Sequence, residues 1–233
     1  MSDGALDFFD EIYCISLSPK NKANALRQSE RLGVSDRVQF YSPANFSDFG
    51  LNELTLVEAQ IFHSYRNIME EAYKRGSANV LVFLDSVVFV NVESLRSGIE
   101  ELSSNFRLSR GLHWEIILLG TDPKDNLVPI TEHLFHVIRG CSLYCAGFNH
   151  TFIRSFMGAI GATKEDIIEA MSQTGVRYNS FEDWIQRYKF ALNLMCIGPM
   201  AACVNPDLYY RPQLSISQQR ERFDLFCKEG SLK

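Results

Sequence analysis

Four acidic residues stand where their surroundings make them candidates for chemistry. Asp85 interrupts the apolar run over 80–90, Val-Leu-Val-Phe-Leu-Asp-Ser-Val-Val-Phe-Val. A run this short and rich in Val and Phe reads as a strand buried on both faces. A lone carboxylate inside such a strand costs several kcal/mol unless it finds partners. If the strand ends at Leu84, Asp85 falls at its carboxyl edge, where open α/β sheets bind ligands, so Asp85 is a candidate for holding a ligand or metal. Glu58 follows Thr55 by three residues, the spacing of a helix capping box; that role stands beside a functional one. Glu182 and Asp183 follow Ser180-Phe181 in the first turn of an expected helix, where the helix dipole favours acids.

Other chemistry finds little support. The chain has no GxGxxG, P-loop, GxSxG or HExxH pattern. His63, His113, His133, His136 and His150 show no metal-ligand spacing; His133 and His136 read as structural or solvated. Cys141 and Cys145 are four apart, but no second ligand pair accompanies them, as structural zinc requires. Thr121-Asp122 follows a strand end, a position near a ligand but an unspecific one.

The elements that must position these residues are legible in outline. Strands are expected over 12–17 and 38–42, with a helix over 19–32 between them. Pro19 suits the first helical turn and Gly33 its end. Strand, helix and strand at this spacing predict a parallel βαβ unit. Thr55 is expected to cap a second helix, which Gly76 stops before the strand carrying Asp85. A helix over 92–102, a polar loop over 103–111 and a buried strand over 114–120 follow. A surface loop spans 122–132, and short strands lie over 135–139 and 142–146. Asn149, Thr163 and Ser180 are expected to cap three further helices, the last over 181–193, before a late strand over 196–204. The fold class expected is α/β, a mostly parallel central sheet flanked by helices, in a single domain over 1–233.

Bulk properties narrow the partners. The 233 residues are 46% hydrophobic, ample for one sizeable core. A net charge of -5, with no long basic block, argues against nucleic acid. The acidic N-terminus does not resemble a signal peptide, and no apolar run has the ~20 residues needed to span a bilayer. Most of the six cysteines lie in apolar segments, which suggests buried thiols in a reducing, cytoplasmic setting.

Several segments follow one another in a recognisable order: Ile15-Ser16-Leu17 with Lys20, Lys22, Arg27 and Leu32-Gly33; Leu54-Thr55 with Glu58 and Ser64-Tyr65; Phe83-Leu84-Asp85-Ser86-Val87; Trp114-Glu115-Ile116-Ile117-Leu118-Leu119-Gly120; Gly140 to Ala146; and Ser180 to Ile185 with Glu182 and Asp183. Together they resemble a family 25 glycosyltransferase, the group of lipooligosaccharide and procollagen galactosyltransferases, across residues 11–217. That resemblance implies a GT-A-like fold and inverting transfer of a hexose from a nucleotide sugar, commonly UDP-linked, to a glycan or protein-linked hydroxyl, with lipopolysaccharide biosynthesis as one setting. It implies a divalent metal, manganese or magnesium, at Asp85. It places Leu17, Lys22, Glu58, Asp85 and Ser86 at the donor, and Glu182 or Asp183 as the base. The chemistry accounts for these types. A departing diphosphate needs its charge stabilised, hard cations take oxygen ligands, and inversion needs a base for the acceptor hydroxyl.

The chain departs from the family where metal chemistry is concentrated. The acidic triplet is Leu84-Asp85-Ser86, the histidine of the family's Ser-His pair is Tyr65, and its Gly-Cys pair is Gln60-Ile61. A second reading therefore stands beside the first: a catalytically inactive GT-A-like domain that binds a nucleotide, a glycan or a protein. A different α/β nucleotide-binding enzyme is a third.

Overall fold

A computed structural model of the chain describes residues 6–107, 113–119, 127–138, 143–173, 181–188, 192–198 and 201–205. The expected features at Gly111, Thr121-Asp122, Gly140-Cys141, Ser180 and the tail beyond 205 lie outside the described residues.

The first half follows the expected βαβ pattern. Strand β1 (Glu11–Ile15) leads to helix α1 (Pro19–Leu32) and then to β2 (Val38–Tyr41), which pairs parallel to β1. Ser18 caps α1 by accepting the Lys20 N–H, and Pro19 occupies the first turn. Gly33 ends it at φ 71°, a left-handed conformation that costs glycine no Cβ clash. Helix α2 (Glu53–Arg75) then crosses back to β3 (Asn79–Leu84), parallel to β1.

The cap of α2 differs from expectation. Asn52, not Thr55, is the N-cap, and its Oδ1 accepts both the Thr55 N–H and the Thr55 hydroxyl. Asn ranks above Thr as a cap. The helix therefore starts three residues earlier, and Glu58 sits in its second turn rather than at a capping-box position.

The apolar run over 80–90 is two strands. β3 ends at Leu84, Asp85-Ser86 form a turn, and β4 (Val87–Phe89) leaves the main sheet to pair antiparallel with β10 (Ala202–Val204). The end of β3 at Leu84 is the one the interrupting Asp85 suggested; the apolar residues after it gave no sign that β4 joins a different sheet. The expected late strand over 196–204 likewise divides, into β9 (Leu194–Ile197) and β10. Helix α3 (Val92–Arg107) is longer than expected and takes in part of the anticipated loop. β5 (Ile116–Leu118) lies within its expected span. β6 (Leu127–Pro129) falls inside the expected surface loop and pairs with β7 (Leu134–Val137) as a hairpin. β8 (Cys145–Asn149) starts later than expected and runs into α4 (His150–Ala159), which Asn149 caps. Thr163 caps α5 (Lys164–Ser172) as expected, and with Asp166 it forms a capping box. α6 (Phe181–Tyr188) stops short of 193, where the chain is no longer helical.

The main sheet has the order β2-β1-β3-β8-β5-β9-β7-β6. Pairing directions make β2, β1, β3, β5, β9 and β6 run one way and β8 and β7 the other, so the α/β sheet is mostly parallel with two reversed strands. Helices α2, α4, α5 and α6 pack on one another. Their contact is aromatic: the Phe181 ring lies 4.6 Å from Tyr65, 5.2 Å from Phe62 and 5.2 Å from Phe156. Ring pairs at these separations add to area burial, and they fix the start of α6 against α2. No described helix is long and apolar enough to cross a membrane.

Candidate functional site

The carboxyl edge of β1 and β3 gathers most of the residues singled out above. Asp85 is fully buried. Its Oδ2 accepts the Ser18 N–H at 3.1 Å, and its Oδ1 accepts the Asn21 amide at 3.3 Å. Its backbone N–H donates to Ile15 O at 3.1 Å, which extends the strand pairing by one step. The Asn24 amide donates to Asp85 O at 2.8 Å and to Val87 O at 3.0 Å, so α1 holds the turn from above. Burial raises the Asp85 pKa above its ordinary value, and the bonds from Ser18, Asn21 and Leu17 only partly offset this. The nearby Cys14 thiol is pushed up by burial and by the Asp85 charge.

Leu17 and Lys22 flank this loop. Leu17 packs half-buried against the core. Lys22 is exposed in the first turn of α1, its Nζ 4.9 Å from the centre of the Phe40 ring. Ser86 is fully buried, and its Oγ has no hydrogen-bond partner. It is the one such buried side-chain atom among the described residues.

The second part of the site comes from α6. Glu182 Oε1 accepts the Leu143 N–H at 2.8 Å, while the Tyr65 hydroxyl donates to Leu143 O. The next carbonyl, Tyr144 O, accepts the Leu84 N–H at 2.8 Å. A short chain of backbone bonds therefore joins Glu182 to the residue before Asp85. Asp183 is half-buried beside it. Glu58 lies one helical turn before Phe62, whose ring meets Phe181 of α6. Because α2 runs from the end of β2 back to the start of β3, its first turns, with Glu58, lie at this same edge.

Asn21, Asn24 and Tyr65 were not singled out by sequence reasoning for the contacts they make. A signal for the asparagines was present: 21, 24, 25, 29 and 32 are the buried positions of α1, a helical stripe in which two amides occur where apolar residues would be expected. Tyr65 stood out only as a departure from the family pattern.

Metal chemistry at this edge meets a poor donor set. Asp85 supplies one carboxylate, buried and with both oxygens accepting bonds, and Ser86 supplies a neutral hydroxyl, whereas hard divalent cations need several open oxygen ligands. A group of metal-type side chains does converge elsewhere, at Glu101, Glu132 and His133. Its contacts clamp the β6–β7 turn: Glu101 accepts from the Thr131 hydroxyl and the His133 N–H, and His133 Nδ1 lies 2.7 Å from Glu101 Oε1. Burial opposes ionisation of Glu101, but the Thr131 and His133 contacts outweigh it and leave its pKa lowered. This group sits four strands from β3 in the sheet order, roughly 19 Å at the usual inter-strand spacing, and so outside the Asp85 site.

No protein-family profile matches the chain, and no curated protein matches it in sequence. Among solved structures it overlaps A197 from STIV at 8% identity, with 84% of this chain and 85% of that one covered and a TM-score of 0.46. It overlaps a glycosyltransferase involved in the glycosylation of the major capsid of PBCV-1 at 11% identity, 82% and 83% coverage and a TM-score of 0.44. It also overlaps mannose-1-phosphate geranyltransferase from Thermus thermophilus at 11% identity, 81% and 73% coverage and a TM-score of 0.41. Likenesses this loose carry no weight in assigning a reaction.

Proposed function

We propose that the chain is a GT-A-like, nucleotide-sugar-dependent hexosyltransferase, with a UDP-linked donor at the carboxyl edge of β1 and β3 and a glycan or protein-linked hydroxyl as acceptor. The observation that carries this reading is the convergence of the Asp85-Ser86 turn, the start of α1 and Glu182 through one network of side-chain and backbone hydrogen bonds. In this reading Asp85 does not face the donor. It holds the Ser18 cap and, through Asn21, the first turn of α1, and that helix start with Leu17 makes the floor on which the nucleotide lies. The buried Ser86 hydroxyl is the polar group reserved for the donor. Lys22, in the first turn of α1, supplies positive charge next to a helix N-terminus, a combination that favours phosphate.

The donor set at Asp85 does not suit manganese or magnesium, and no step is assigned to a metal. Charge growing on the departing diphosphate falls to Lys22 and the N-terminus of α1. Glu182 or Asp183 takes the proton of the acceptor hydroxyl as that oxygen forms its bond to the sugar's anomeric carbon and the bond to the diphosphate breaks. Attack from the face opposite the leaving group inverts the anomeric configuration. Glu58, at the same edge on α2, lies on the donor side.

The second reading, a binding module without transfer activity, has its own support: Asp85 is fully committed to holding its loop. Thermal unfolding with UDP, GDP and CMP, with and without manganese, followed by assay of UDP-sugar turnover, separates the two. A ligand that binds only the folded state raises the melting temperature by mass action. Stabilisation by UDP without manganese, together with turnover of one UDP-hexose, supports the transferase. Stabilisation without turnover of any donor supports the module, and no stabilisation by any nucleotide overturns the donor site.

A further inference from the structure

A cavity of about 330 Å³ opens at the opposite, amino-terminal edge of the sheet. It is about 20 Å from the Asp85 turn, judged from the six residues of β3 at strand rise. Phe8 and Trp114 form its apolar wall, their rings 5.7 Å apart. Asn79, His113, His150 and Thr151 supply the polar groups. The volume lies within the range of small-molecule sites, which combine an apolar wall with a few placed polar groups.

The chemistry of the lining narrows the ligand. Among the described residues, no carboxylate, lysine or arginine side chain lines the cavity. The nearby Asp10 carboxylate accepts the Ala78 N–H at 2.6 Å and the Asn79 N–H at 3.0 Å, so it stiffens the wall. Asn79 Nδ2 donates to Phe8 O at 3.3 Å, which ties the apolar wall to the polar one. Beside the cavity, Tyr73 stacks on His150 at 5.9 Å and 16°, and Tyr73 is 44% exposed. A lining of imidazole, amide and hydroxyl groups, with an aromatic wall and a flat exposed ring at its side, suits a neutral polyol with one apolar face.

We propose that this cavity is a non-catalytic glycan subsite that takes one neutral pyranose. It holds a glycan-bearing molecule on the face away from the Asp85 edge. The proposal does not depend on the donor-site reading, because its residues belong to the other edge of the sheet.

Protein-observed NMR of the full chain tests it. The chain is titrated with methyl glycosides of galactose, glucose and mannose, with uridine, a planar base on a furanose, as the non-pyranose comparator for the cavity. The expected result is saturable, millimolar binding of at least one pyranoside that shifts the Trp114 indole N–H and leaves that of Trp184 in place. Tyr73→Ala and Thr151→Val, both at exposed positions, are each expected to weaken binding roughly tenfold with little change in melting temperature. Asp85→Asn is expected to leave pyranoside binding unchanged even if it abolishes a nucleotide effect. No saturable shift with any pyranoside, a Trp114 shift with uridine alone, or binding unaltered by both surface variants overturns the proposal.

Discussion

Ser86→Ala separates stability from ligand binding by the sign of two effects. The wild-type Oγ is fully buried and has no protein partner, while the Ser86 carbonyl is already taken by the Asn205 N–H at 2.9 Å. A buried hydroxyl left unsatisfied costs about 1–3 kcal/mol. Alanine removes that hydroxyl and leaves a void of at most ~20 Å³, whose penalty is about 0.5 kcal/mol. The variant is therefore expected to be more stable by about 1 kcal/mol, which for a domain of this size raises the melting temperature by about 2–4 °C. If the hydroxyl is reserved for the donor, the same variant loses most of the stabilisation that UDP gives the wild type. Urea titration measures the first effect and melting with and without UDP measures the second. Destabilisation by more than ~1 kcal/mol would show that the hydroxyl already has a partner in the folded chain. An unchanged UDP effect would remove Ser86 from the donor site.

Three further outcomes follow from the same structure. The folded-state pKa of Asp85 is raised, so the folded chain binds the extra proton and stability from this group falls as pH rises from its unfolded value of about 3.9 through the folded one. Asp85→Asn removes that dependence; a pH series of urea midpoints tests it, and an unaltered slope across this window counts against the burial of a charged Asp85. The His63 pKa is lowered, by burial first and then by Lys164 and Arg66, so the unfolded chain takes up the proton first and stability is lost as pH falls below about 6.5. His63→Gln is expected to flatten the slope there by up to about 1.4 kcal/mol per pH unit, read from urea midpoints between pH 7 and 5; an unchanged slope refutes it. A Cβ added at Gly147 would lie 2.5 Å from the Phe9 ring and 2.7 Å from Ile117, so Gly147→Ala is expected to cost about 1–3 kcal/mol. Phe9→Leu in the same chain should recover part of that loss in the urea midpoint, and a lack of recovery would place the strain elsewhere.

The site was partly legible before the fold. Asp85 stood out because a lone acid in an apolar run demands partners, and its place at the end of β3 was one reading of that interruption. The partners themselves were not legible. Asn21 and Asn24 are 64 and 61 residues away in sequence, and nothing local distinguishes an amide that reaches a buried carboxylate from one that faces water. The Thr55 spacing suggested a capping box, but Asn52, three residues earlier, competes for the same N–H groups and wins. The hairpin β6–β7 was missed in part because β6 is three residues long and mostly exposed, and so carries no alternation to read.

Local physical chemistry determined the helices α1 and α2, the glycine stop at Gly33, the capping box at Thr163, the apolar strands and the mostly parallel opening of the sheet, because caps, turns and periodicity act over a few residues. Only the tertiary structure decided that β4 leaves the main sheet for β10 and that β8 enters it reversed beside β3. It also decided that Asp85 spends its oxygens on the cap and first turn of α1, that the Ser86 hydroxyl is buried without a partner among the described residues, and that Glu182 is joined to β3 through Leu143-Tyr144. Each of these depends on groups far apart in sequence whose pairing is chosen by burial and hydrogen-bond satisfaction over the whole core, and no local pattern encodes that choice.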